Sequence, residues 1–572
     1  MQTRMFAGFA FGIFCCAALH HDTIGEELQL SANETSSTAI LTAAELASAN
    51  VIDEATLRGH VRFLSDDLLE GRGPGSRGDE LAQLYIATQF QSLGLKPASI
   101  DGGWMQSVPL VGIRTIAPPQ VLFSVGDQSL TLESTIDFIS TMGSPKAEAS
   151  LTDAEVVFVG YGIQAPEYDW DDFKDVDLRG KILLIMNNDP EVDPALFEGR
   201  RRLFYGRWDY KYESAARQGA AGAIIIHTTP SAGYPWQVIQ TSWSGEEFEL
   251  RDAPGPRLEL KSWATEEASK RLVGLAGKNL DQLRADAESR TFRPVPLGVS
   301  LSLELKAEVR NQDSANVLGL LPGSDPSLSD EVLVYMAHHD HLGMSAERDI
   351  NGDNIYNGAI DNASGTAALL AMAKAYTQLA IRPARSILFA AVAAEEQGLL
   401  GSKYFANQPT IPAGKLAAVI NMDGTNFIGR TREVNVIGLG KSSLDVYVGE
   451  VAKAQGRIVT PDHFPDRGYY YRSDQFSLAK IGVPGVYLHS GINVIGKPEG
   501  WGKQQLDEWV EKTYHQPGDE YREDWDLNGA LEDTRLLFHV GRRVADAPTM
   551  PSWTAGDEFE AARVKAIADI SH

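Results

Sequence analysis

Cysteine is almost missing from this chain: two occur in 572 residues, Cys15 and Cys16, side by side. Both fall in a short apolar run, Met5 to Leu19, which follows Arg4 and passes into Ala17 and Ala18. That pattern reads as a signal peptide over residues 1–21, too short to span a bilayer comfortably. Its removal would leave no cysteine, so no disulfide would staple the mature chain and no thiolate would act as nucleophile or metal ligand. An exported, cysteine-free chain points to a bacterial periplasmic or secreted protein rather than an integral membrane protein. Basic residues are also scarce, 51 Lys and Arg against 77 Asp and Glu, for a net charge of −26. That balance disfavours nucleic acid and anionic membrane surfaces as partners.

Several catalytic signatures are absent as well. The 12 histidines include no His-Glu-x-x-His pair, and the chain has neither a Gly-x-Ser-x-Gly elbow nor a P-loop. Gly73, Gly75 and Gly78 match Gly-x-Gly-x-x-Gly, but a helical pattern precedes them where a dinucleotide site needs a strand. A turn is expected there. Asp349-x-Asn351-x-Asp353 lacks the glycine and distal glutamate of a calcium loop and also reads as a turn.

The length implies two or more domains. Residues 22–49 are mostly polar or small and are expected to be flexible; they include a glycosylation acceptor at Asn33. Helical spacing begins at Leu57 and Val61 and resumes through Leu81 to Phe90, so residues 50–115 form a first α-rich part. From 116 to 295 short β-branched runs such as Val156 to Val159 and Ile182 to Ile185 mark a separate β-rich module with few helices. From 296 to 572 strands alternate with helices. The fold class is therefore α/β: a mostly parallel or mixed central sheet flanked by helices, with the β-rich module inserted.

Chemistry-bearing residues recur where these strands end. His338 follows Met336-Ala337, Glu395 and Glu396 follow Val392, and Asp423 follows Ile420-Asn421. In open α/β sheets, sites gather beyond the carboxyl ends of strands. Asp361, in Gly358-Ala359-Ile360-Asp361-Asn362, starts a helix beyond a loop that can reach the same edge. Imidazole and carboxylate ligands suit zinc or a similar divalent ion. Two such ions can share one carboxylate, and a further carboxylate beside them can shuttle a proton. The residues alone thus point to a metal-dependent hydrolase of open substrate. His489 reads as a supporting residue.

Together these stretches resemble the family-28 zinc metallopeptidases, the co-catalytic dizinc aminopeptidases related to glutamate carboxypeptidase and the transferrin receptor. Gly160-Tyr161-Gly162-Ile163 and Asp177 to Lys181 are similar to the protease-associated domain inserted in many members. The resemblance implies two Zn2+ ions and peptide substrates. It implies that His338 and Asp423 serve one metal, Glu396 and His515 the other, and Asp361 bridges them. Asp340 would orient His338, Glu395 would act as general base, and Tyr470 or its neighbour Tyr471 would stabilise the oxyanion. The implied reaction is removal of N-terminal residues. A carboxypeptidase or dipeptidase would instead need a cation such as Arg430, Arg432, Arg467 or Arg472 to hold a substrate carboxylate. A receptor-like binding protein would lack ligands, and none is missing. The segment before His515, with Trp501 and Trp509, is longer than in compact members and is expected to wall the substrate pocket.

Overall fold

The computed structural model describes residue 41 and residues 43–570, apart from 195, 244 and 254. The expected leader and the Asn33 acceptor lie outside the described residues. The last part of the segment expected to be flexible, Ala43–Ser48, is a short helix.

Three strands with no exposed position, Val332–His338, Ser386–Val392 and Leu416–Asn421, form the centre of the sheet. Burial on both faces explains their continuous apolar sequences. Along Ser386–Val392 the side chains divide by turns: Ile387, Phe389 and Ala391 enter one core, and Leu388, Ala390 and Val392 the other. Val332–His338 lies between the other two and parallel to both. Gly485–His489 extends the sheet in parallel beyond Leu416–Asn421. Glu433–Ile437 then pairs antiparallel, and Ile458–Pro461 parallel to that. The sheet is mixed, as the sequence pattern allows. Helices Glu54–Leu64, Gly365–Thr377 and Asn528–Asp546 cover one face. The first is capped by Asp53, which accepts the Thr56 amide, and buries Leu57, Val61 and Leu64 at helical spacing.

The 27-residue strand Val295–Leu321 ties the molecule together. Its first half pairs with Glu148–Phe158, its middle with Met105–Ile116, and its last residues with Ser386–Val392. Beyond Glu148–Phe158, the sheet continues through Ile182–Met186, Gly222–His227, Leu260–Thr265 and Phe138–Met142. This segment is more helical than its sequence texture suggests. Trp208–Arg217, Trp236–Ser242, Glu266–Leu275 and Leu280–Ala287 are all helices. The first buries Asp209, Lys211 and Ser214 along with its tyrosines and alanines, so apolar periodicity does not reveal it. Among the described residues, no helix is long and apolar enough to cross a membrane.

Candidate metal centre

Parallel strands deliver their carboxyl-terminal residues to one edge. His338 closes its strand there, and Glu395, Glu396 and Asp423 stand within four residues of the ends of theirs. Asp361 arrives on the loop before Gly365–Thr377. Gly358 enters that loop at φ +54°, where an added Cβ would lie 2.2 Å from the Asp361 carbonyl and 2.5 Å from the His341 ring. His515 is itself left-handed, at φ 56°.

The two carboxylate oxygens of Asp361 face different imidazoles. Oδ1 lies 3.3 Å from Nε2 of His338, and Oδ2 lies 3.3 Å from Nε2 of His515. The His338 nitrogen is also 3.3 Å from Asp423 Oδ1, and the His515 nitrogen 2.9 Å from Glu396 Oε2. His338, Asp361 and Asp423 could hold one ion; His341, Asp361 and Glu396 could hold another. His341 is an addition to the expected set, its Nδ1 2.5 Å from Glu396 Oε1. The His338-His339-Asp340-His341 cluster carried that signal.

The donor set fits divalent metal. The buried Nε2 of His515 makes no hydrogen bond, although two carboxylate oxygens lie close by. The nitrogen faces the space those oxygens share. Asp361, Glu395, Glu396 and Asp423 have no lysine or arginine ion pair among the described residues. Crowded buried carboxylates of this kind call for a cation between them. Imidazole and carboxylate together favour zinc-like ions.

Supporting groups fix this array. Asp519 accepts the backbone amides of Ile360 at 3.1 Å and Asp361 at 3.0 Å. Asn362 donates to the Met422 carbonyl, while its Oδ1 accepts the amides of Gly365 and Gly424. The buried Arg72 donates to the carbonyls of His339, Leu64, Asn357 and Gly358. Ser473 donates to Asp423 at 2.5 Å, and Ser242 pairs with His515 Nδ1 at 2.9 Å. Sequence reasoning missed Arg72 and Ser242; only the glycine-rich neighbourhood hinted at the first.

Two expectations change. Asp340 was expected to orient His338; its Oδ1 stands 3.7 Å from Nδ1, outside hydrogen-bond range, and its backbone carbonyl meets that nitrogen at 3.3 Å. Its carboxylate accepts the amides of Glu395 at 3.0 Å and Glu396 at 3.4 Å, and so holds the glutamate pair. Tyr470 does not reach the carboxylates. Its ring packs against Lys441 and Phe559, and Tyr471 donates to Glu558. Tyr469 and Tyr487 line the cavity above the centre. His489 pairs with the Tyr487 hydroxyl at 2.8 Å, the supporting place expected of it.

The protein's own groups set the paired glutamates apart. Burial pushes Glu395 well above its ordinary range; His338 opposes this, while Asp423, Glu396 and Asp474 add to it. Burial and Asp361 also push Glu396 up, but His515 and His341 outweigh them and hold it at about 2. One carboxyl is thus suited to carry a proton and its neighbour to stay ionised.

The centre opens on a cavity walled by two regions: Trp208, Val238 and Trp243 from the β-rich segment, and Phe427, Leu506 and Trp509 from the remainder. Helix Trp501–Lys512 supplies Trp509 as expected, whereas Trp501 packs beneath Lys497.

Residues 316–538 match the model of Peptidase family M28. Leucine aminopeptidase 2 of Trichophyton rubrum is 27% identical over 253 residues, 42% of this chain and 45% of that protein. Aminopeptidase NAALADL1 of Rattus norvegicus is 35% identical over 120 residues, 20% of this chain and 14% of that protein. The chain thus spans less than half the length of these curated relatives. The solved aminopeptidase from Aneurinibacillus sp. strain AM-1 aligns over 88% of this chain and 96% of its own, with a TM-score of 0.51 at 20% identity, a likeness of fold. The segment whose histidines and carboxylates meet at one sheet edge is thus the part of the chain, residues 316–538, that matches peptidase family M28.

Proposed function

We propose that this chain is an exported zinc aminopeptidase that hydrolyses the N-terminal peptide bond of peptides. One observation carries the reading: Asp361 offers one oxygen toward His338 and the other toward His515. That geometry suits two zinc ions, held by His338, Asp423 and Asp361 on one side and by Glu396, His515 and Asp361 on the other, with His341 beside them. Zinc bound there would supply a water acidic enough to ionise near neutral pH and would polarise the scissile carbonyl.

The chain's own residues do the rest. Glu395, whose burial raises its affinity for a proton, would act as the ionised carboxylate, taking the proton of the attacking water and delivering it to the leaving amine. Asp340 keeps that carboxyl in place through the Glu395 amide. The aromatic walls exclude water and accept an apolar first side chain. Residues 116–295 act as a protease-associated module whose Val238 and Trp243 complete the pocket. The names of the relatives, aminopeptidases in each case, support the same reaction.

Glu395→Gln tests this. The variant is expected to fold and retain metal, measured by elemental analysis, while kcat on a leucyl substrate falls about 10²–10⁴-fold. Near-normal turnover would remove Glu395 from its role. Acetylation of the substrate's amino group is expected to abolish cleavage.

A further inference from the structure

Three arginines line the cavity. Arg207 pairs with Asp209 at 3.0 Å, and Arg467 with Asp507 at 3.2 Å. Arg472 has no ion pair and no side-chain hydrogen bond among the described residues. Its guanidinium lies over the rings of Tyr234, at 5.2 Å, and Tyr469, at 5.4 Å. Stacking of this kind engages the flat face of the cation and leaves its N–H edge available for a planar anion. Nearby, the buried Arg202 gives its Nε to Asn188, and its Nη2 has no partner. Burial is the main cause that lowers Arg202 to about 10, and the charge of Arg472 adds to it. Arg472 is thus the lining arginine without an acidic partner, and among the described residues the carboxylates that line the cavity are those of the metal centre.

Arg472 is also tied to that centre. The next residue, Ser473, donates to Asp423. Arg472 lines the same cavity as Asp361, Glu395 and Asp423, and a peptide of two or three residues spans on the order of 10 Å. A half-buried guanidinium with no anion beside it would be satisfied by a substrate carboxylate.

We infer that Arg472 receives the C-terminal carboxylate of a short peptide whose N-terminal bond lies at Glu395, so that free dipeptides and tripeptides are the preferred substrates. This rests on the aminopeptidase reading above and names its substrate class. Arg430, the other cation considered from sequence that has an acidic partner, is engaged by Glu532.

The test compares kcat/KM for Leu-Ala, Leu-Ala amide, Leu-Asp amide and leucine anilide on the metal-loaded enzyme. The free acid is expected to exceed its amide by about tenfold or more, chiefly through KM. In Arg472→Gln that ratio is expected to fall toward one, and Arg472→Lys to keep part of it. Equal rates for acid and amide in the unaltered enzyme would overturn the inference whether or not the variants fold. So would a preference that survives Arg472→Gln. Leu-Asp amide cleaved as well as Leu-Ala, with equal dependence on Arg472, would assign the cation to an acidic side chain and refute the C-terminal assignment. Failure to cleave any amino-free substrate, the anilide included, would bring down the aminopeptidase reading and this one with it. An active enzyme indifferent to the carboxylate would bring down this one alone.

Discussion

Asp519 points neither carboxylate oxygen at a histidine of the centre, yet it holds the backbone on which Asp361 stands through two amides. Asp519→Asn keeps one acceptor and turns an NH2 toward the other amide. Metal affinity, measured by chelator competition, is expected to fall about 10–100-fold, with folding retained; unchanged affinity would show that the Asp361 loop needs no such support. Four of the metal-ligand candidates, His338, Asp361, Glu396 and Asp423, were readable from sequence because each follows a strand or a glycine loop; His515, which follows the helix Trp501–Lys512, rested on the family resemblance. Tyr470 was misplaced for an equally plain reason. Tyr469, Tyr470 and Tyr471 form one 3₁₀ turn, in which successive side chains diverge by about a third of a circle. Sequence cannot say which of three adjacent tyrosines faces the cavity; the fold turns Tyr469 toward it.

The short helix Trp236–Ser242 shows how one element joins the β-rich segment to the chemistry. It places Val238 and Ile239 on the cavity wall, and its final residue, Ser242, on His515 Nδ1. A histidine offered to a metal through one nitrogen is oriented by the partner of the other. Ser242→Ala is therefore expected to weaken the metal on the His515 side about tenfold, seen as a second, looser equivalent in a zinc titration. Two equivalents of unchanged affinity would reduce that hydrogen bond to packing. The helix itself was invisible beforehand: Trp236–Ser242 is too short for periodicity to register, and its sequence lies in a stretch read as β. Long buried strands such as Val332–His338 were plain because nothing but burial explains seven such residues in a row.

From Leu41 onward the described residues are held as one by the strand Val295–Leu321, and this constrains how they unfold. Leu301 on its first half is fully buried in the β-rich core, and Val317 on its last part is fully buried in the core of the α/β region. The β-rich core also takes in Leu399, Ile437, Phe476 and Tyr487 from the C-terminal region. Two domains joined by a linker would melt separately. Here neither core can open without exposing apolar surface of the other, so the metal-loaded protein is expected to show one calorimetric transition. Leu301→Ala, distant from the metal ligands in sequence, is expected to cost about 2–5 kcal/mol and to shift that whole transition downward without splitting it. Metal removal is expected to lower the same midpoint, since binding stabilises only the folded state. Two resolved transitions, with Leu301→Ala moving one and chelation the other, would show that the strand connects the two regions without coupling their stability.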